Sequence, residues 1–163
     1  MHREKTIAAQ HLGLGAPTLT VESPSFNYGR PIGRTYAAPR GRSPALRWST
    51  PPEGTREIAI LVEDPDAPSA KPFVHWVARG ISPERANLGE GAHPPVEGEN
   101  DAGGQGWFGP APPPGHGPHR YHFEVFAVDE PLEARAPRDR DELIEALRGH
   151  VLAWGETIGT YQR

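Results

Sequence analysis

Apolar residues run without a break from Ile58 to Val62, and polar residues take over abruptly at Glu63-Asp64-Pro65-Asp66-Ala67-Pro68. A short continuous run of this kind is the pattern of a buried central strand. The two prolines forbid a ladder strand beyond it, and the aspartates suit a turn because their side chains can bond nearby backbone. Phe73-Val74-His75-Trp76-Val77-Ala78 then returns as a second apolar run, this one carrying a histidine. Tyr121 to Val128 alternates cleanly: Tyr121, Phe123, Val125 and Ala127 face one way, His122, Glu124, Phe126 and Val128 the other. That period predicts a third strand. Thr18-Leu19-Thr20-Val21 and Ala45-Leu46-Arg47-Trp48 are shorter strand candidates, with Tyr36 as an anchor in the turn-rich segment between them.

The period changes near the C-terminus. Leu143, Leu147, His150/Val151, Trp154 and Ile158 recur at steps of three and four, the pattern of an amphipathic helix. Pro137 and Asp139 supply its start, while Gly149 and Gly155 imply one bent helix or two short ones. Strands first and helix last predict an α+β or mainly β domain with helices packed at the end. Residues 1–17 read as a flexible N-terminal tail and residues 18–163 as a single domain, without an internal repeat. The Gly- and Pro-rich stretch from Gly80 to Gly106 reads as a long functional loop.

At 163 residues the chain is long enough for a real core. Its 19 glycines and 20 prolines lie between apolar runs, which favours a loop-rich β protein over a disordered one. A net charge of -4 offers no basic field for nucleic acid. The absence of cysteine removes disulfides, thiol catalysis and thiolate metal sites together. No apolar stretch approaches the roughly 20 residues of a membrane span. The opening MHREKTIAAQHLGLG lacks the apolar region of a signal peptide, so a cytoplasmic protein is expected.

Candidate chemistry lies at the ends of the three secure strands. Asp64 and Asp66 close the first, His75 lies on the second, and the loop Gly106-Trp107-Phe108-Gly109-Pro110-Ala111-Pro112-Pro113-Pro114-Gly115-His116-Gly117-Pro118 delivers His119, Arg120 and Tyr121 to the third. Prolines stiffen such a loop and glycines bare its backbone N–H groups to a ligand. Each residue also has a plainer role open to it. The aspartates can be turn-formers, His75 a hydrogen-bonded core histidine, His119 a strand cap and Arg120 half of a surface ion pair. The Pro-rich loop alone could be a polyproline segment for a partner.

DPDAP, then HW on the next strand, then GPAPPPGHGPHRY before a third strand closely resembles the phosphatidylethanolamine-binding protein, or Raf kinase inhibitor protein, family. SPSFNYGRPI, SPALRWSTPPEGT, GENDAGGQGWFGPAPPPG and RGHVLAWGETIGTYQR follow in the order of its small bacterial branch, so the resemblance covers roughly residues 19–163. It implies a mainly β fold of two packed antiparallel sheets with peripheral and C-terminal helices. It also implies a small anion pocket for phosphate, acetate or a phosphorylated headgroup. By that match Asp64, Asp66, His75, Gly109, Pro113, His119 and Tyr121 are the ligand-binding residues, with the aspartates orienting the imidazoles. Two departures stand out. Arg34-Thr35-Tyr36-Ala37-Ala38-Pro39 replaces a Lys-Tyr-Thr-Cys-Asp-Gly-like segment, and Trp107-Phe108 replaces a Tyr-Gly, adding bulk at the pocket rim.

The expected function is therefore binding of a small anionic or phosphorylated ligand without catalysis, in a regulator resembling kinase or protease inhibitors. The resemblance brings with it a kinase or protease as protein partner and a homodimer as assembly. No cofactor and no metal are expected, because no H-x-x-x-H or H-E-x-x-H spacing occurs. No G-x-S-x-G occurs either, and Ser49 and Ser69 have no evident paired base, so no catalytic residue is assigned. The alternatives are a hydrolase using the Asp/His pocket and a Pro-rich structural interaction module.

Overall fold

The computed structural model describes residues 5–132 and 138–163. After a single helical turn, α1 (Ala8–His11), come strands β1 (Val21–Glu22), β2 (Leu46–Trp48), β3 (Glu57–Asp64), β4 (Phe73–Ile81), β5 (Asn87–Leu88), β6 (Val96–Glu97) and β7 (His119–Val128). Helix α2 (Arg140–Leu147) and strand β8 (Val151–Tyr161) close the chain. The strands form two antiparallel sheets, β1-β2-β5 and β6-β4-β3-β7-β8.

The larger sheet is covered on both faces, which explains why β3 reads as unbroken apolar sequence. Ile58, Ile60 and Val62 point into a core shared with the smaller sheet, against Leu46, Trp48 and Leu88. Ala59 and Leu61 point the other way, into a second core with Leu143 and Leu147 of α2. Strand β7 divides its residues likewise: Tyr121, Phe123, Val125 and Ala127 go to the first core, Phe126 and Val128 to the second. The alternation read from the sequence is thus real, but both faces are buried.

Two sequence expectations need correction. The C-terminal segment is not one bent helix or two short ones. Helix α2 starts at Asp139, whose carboxylate caps the Glu142 N–H at 2.9 Å, and it ends before Gly149, which sits at φ +81°. The chain then turns into β8, which pairs with β7 from His119↔Tyr161 to Val128↔Val151. Pro137, the other start signal, lies outside the described residues. The three- and four-residue spacing of Leu147, Val151, Trp154 and Ile158 carried no account of this long-range ladder, which overrides local periodicity. Gly155 and Gly159 belong to that ladder for a local reason. A Cβ at Gly155 would meet the Leu19 carbonyl, and one at Gly159 the Ile32 side chain, because residues 18–32 cross over β8 there. The Thr18 and Leu19 N–H groups donate to the Trp154 carbonyl, Gly29 N–H to Ile158, and Ile32 N–H to Thr160.

The second correction concerns the tail expected over residues 1–17. Ile7, Ala8 and Ala9 are buried in the second core, and Leu12 and Leu14 pack against it. The Ala8 and Ala9 N–H groups donate to the fully buried carboxylates of Glu63 (2.7 Å) and Glu124 (3.0 Å). Arg140 completes the clamp, with Nε on Glu63 at 2.7 Å and Nη2 on the Thr6 carbonyl at 3.0 Å. Nothing in the composition of MHREKTIAAQ signals this, because its partners are acids on strands far along the chain.

Burial, and then the Glu63 carboxylate beside it, push the Glu124 carboxyl well above the usual range. A carboxyl whose pKa is raised by folding holds its proton more tightly when folded. Its stabilising effect is therefore full at low pH and is lost as pH rises above the ordinary carboxylate range. Glu124→Gln keeps an acceptor for Ala9 and cannot ionise. The variant is expected to melt higher than the parent protein, with a gain that is larger at about pH 8 than at about pH 5. Thermal melts showing an equal change at both pH values would remove Glu124 from this role.

Candidate functional site

At the end of β3 the Asp64 carboxylate does two things at once. One oxygen accepts the Asp66 N–H at 2.8 Å, forming the turn, and the other accepts Nδ1–H of His119 at 2.6 Å. Asp64 thus both forms the turn and holds the His119 ring. Burial raises its pKa, opposed by the His119 hydrogen bond. Asp66 points elsewhere. It accepts from the Arg120 N–H at 2.8 Å, Nε at 2.9 Å and Nη2 at 2.8 Å, and the guanidinium holds its carboxyl below the usual range.

His75, on β4, is 3% exposed. Its Nδ1 donates to the Phe108 carbonyl at 2.6 Å, its ring stacks on Phe108 at 5.9 Å, and Tyr121 meets it edge-on at 5.1 Å. Burial lowers its pKa to about 4 against the opposing pull of the Phe108 and Gly109 backbone, so the ring is neutral at physiological pH. The expectation that the aspartates orient both imidazoles therefore holds for His119 alone; main chain orients His75. Burial, followed by the nearby Asp64 and Asp66 charges, raises the Tyr121 hydroxyl and keeps it protonated.

These groups surround one cavity of about 260 Å³. Asp64, His75, Pro113, His119 and Tyr121 line it, so most of the residues expected from the sequence converge although they span β3, β4, β7 and the Pro-rich loop. Asp66 and Gly109 are not among the lining residues. Gly109 packs behind the loop, where a Cβ would run into the Tyr36 carbonyl. The altered segment at residues 34–39 acts as that brace: Ala38 N–H donates to the Pro110 carbonyl at 3.1 Å, and Trp107 Nε1 donates to the Tyr36 carbonyl at 3.1 Å. Tyr36 is itself anchored through its hydroxyl to Glu90. Of the two bulky replacements, Phe108 lines the cavity, whereas Trp107 turns into the core and stacks on Phe123 at 6.0 Å.

Sequence reasoning missed two features. Phe73, Ala67, Pro68, Ala111 and Pro112 give the cavity a largely apolar wall. His116, flanked by Gly115 and Gly117 at positive φ, lies with Nδ1 2.6 Å from Nε2 of His119. A histidine three residues before His119, isolated between glycines, was the available signal. Among the described residues no group of three or more His, Asp or Glu is placed to hold a metal ion, and no helix is long and apolar enough to cross a membrane.

Comparison with known proteins gives a consistent result. A UPF0098 protein of Chlamydia muridarum is 38% identical over 151 residues, covering 89% of this chain and 99% of its own. The crystal structure of a phosphatidylethanolamine-binding protein homolog, CT736, from Chlamydia trachomatis superposes with a TM-score of 0.82 at 35% identity, covering 91% of this chain and 99% of that one. E. coli YbcL, described as a new member of the mammalian family, also gives 0.82, at 28% identity over 89% of this chain and 98% of its own. The sequence model for phosphatidylethanolamine-binding protein matches residues 22–162, nearly the whole of both sheets, and the chain belongs to that family.

Proposed function

We propose that the cavity binds the anionic headgroup of a small phosphorylated or carboxylated ligand, and that the protein acts by binding rather than by catalysis. The observation that carries this reading is the convergence of His75, His119, Asp64 and Tyr121 from separate strand ends on one apolar-walled cavity. Hydrogen-bonding groups fixed at the base of an apolar wall suit a polar head with a less polar substituent. Hydrolysis asks for a nucleophile or activated water as well. Ser69 lines the cavity, but its hydroxyl donates to the Lys71 carbonyl at 2.7 Å, not to an imidazole. A role as an inhibitor-like regulator of a kinase or protease is what family membership suggests; headgroup recognition is the part these side chains support.

Titration calorimetry with phenyl phosphate tests the reading. Saturable binding is expected, and His75→Ala is expected to weaken it about tenfold or more, the cost of one hydrogen bond to a charged group. Absence of binding, or undiminished binding by a folded His75→Ala protein, overturns the assignment. Release of phosphate from the same ester would instead favour the hydrolase reading.

A further inference from the structure

The hydrogen-bond inventory of the cavity points to a narrower ligand class, and this inference rests on the reading that the cavity is the ligand site. We infer that, among tetrahedral oxyanions, the cavity selects a phosphoryl group in its singly protonated form over those that carry no proton, such as sulfate esters.

A neutral imidazole has one N–H. In His75 that hydrogen is committed to the Phe108 carbonyl at 2.6 Å, which makes Nε2 an acceptor. His119 has its Nδ1 2.6 Å from Asp64 and its Nε2 2.6 Å from Nδ1 of His116, so both of its ring nitrogens are engaged by protein groups rather than by a ligand. Both Asp64 oxygens are already engaged, one by the Asp66 N–H and the other by His119. Tyr121, kept protonated, is a side-chain donor among these lining groups. A fully deprotonated oxyanion is made of acceptors alone. It would set lone pairs against His75 Nε2 and charge beside Asp64, within largely apolar walls. A phosphoryl group carrying one proton resolves the mismatch: its P–O–H donates to His75 Nε2, and its remaining oxygens accept from Tyr121.

The other charged and titratable groups around the cavity do not supply the missing donor. Arg120 is engaged by Asp66 on the rim, with three hydrogen bonds to its carboxylate. Arg163 and Tyr161 act on Tyr121 from the end of β8, and Arg163 Nη2 lies 3.4 Å from the Ala38 carbonyl. Lys5 reaches the carbonyl of Ala67, a lining residue, from the N-terminal segment. Glu63, next to Asp64 in sequence, points to the opposite face of the sheet, where it meets Arg140 and Ala8. Protonating His75 would convert it to a donor, but burial holds that step down at about pH 4.

Phenyl phosphate and phenyl sulfate differ in little but the second proton, which leaves a phosphate ester at about pH 6. At a pH just below that value the phosphate is expected to bind about tenfold or more tightly than the sulfate. Its affinity should then fall about tenfold per pH unit above its own second pKa. With phenylphosphonate, whose second proton is held more tightly, the midpoint of the decline should move to higher pH by the difference between the two ligands. His75→Gln, whose amide can turn its NH2 group toward the ligand, should narrow the gap between phosphate and sulfate. Sulfate binding as tight as phosphate, or one midpoint common to phosphate and phosphonate, overturns the inference while leaving the cavity as the ligand site. Binding of none of the three at any pH overturns the ligand site itself.

Discussion

Arg140→Ala is expected to destabilise the fold by about 3–5 kcal/mol at neutral pH, the usual cost of removing one partner from a buried ion pair. Arg140 is the cation held against Glu63, whose side chain has no exposure, at 2.7 Å. It also holds the Thr6 carbonyl at 3.0 Å, so the same substitution loosens the N-terminal segment. Without it, Glu63 is left beside Glu124 with no cation to compensate it, only the Ala8 N–H and the Glu124 carboxyl. Urea unfolding at two pH values reads the effect. The deficit should shrink toward acid, where protons neutralise the stranded carboxylates. A deficit below about 1 kcal/mol at neutral pH would show that surface-like energetics apply and that the clamp is weak.

Gly109→Ala is expected to remove phosphate-ester binding almost entirely and to cost the fold about 1–3 kcal/mol, although Gly109 does not line the cavity. The new Cβ would collide with backbone atoms of Tyr36 and Ala37, which cannot swing aside as a side chain could. The Pro-rich loop must retreat, and with it the Phe108 carbonyl that fixes the His75 ring. Gly104→Ala is the matching control, because its nearest neighbour is the Asn100 side chain at 3.8 Å. Calorimetry and thermal melts on both variants decide the matter. If Gly109→Ala binds phenyl phosphate as the parent does, the brace from residues 36–38 does not set the site.

What was legible in the sequence divides by range. Strands β3, β4 and β7 could be read because their apolar runs are local facts, bounded by Pro, Gly and Asp. Strand β8 could not, because Val151, Trp154 and Ile158 satisfy a helical spacing, and only the pairing with β7 decides against it. The N-terminal anchor was invisible for a related reason: Ala8 and Ala9 are held by acids 55 and 115 residues away. Within the site, the convergence of His75, His119 and Tyr121 was expected from their places at strand ends together with the family resemblance, which supplied the register. The tautomer of His75 did not, since it depends on a main-chain carbonyl 33 residues on. That one bond commits the ring's N–H, so in the neutral imidazole Nε2 is an acceptor.

The passage of residues 18–32 over β8 has a consequence for how this chain meets copies of itself. An eleven-residue outermost strand with its carbonyls free would be a template on which a second chain could add and a fibre could start. Here the Trp154, Ile158 and Thr160 carbonyls are already taken by Leu19, Gly29 and Ile32. A newcomer would have to peel that segment away first, and Gly155 and Gly159 keep the segment close enough to make this costly. The opposite edge, β6, presents two residues. Strand-by-strand growth is thus refused at one side of the sheet by a cover and at the other by brevity.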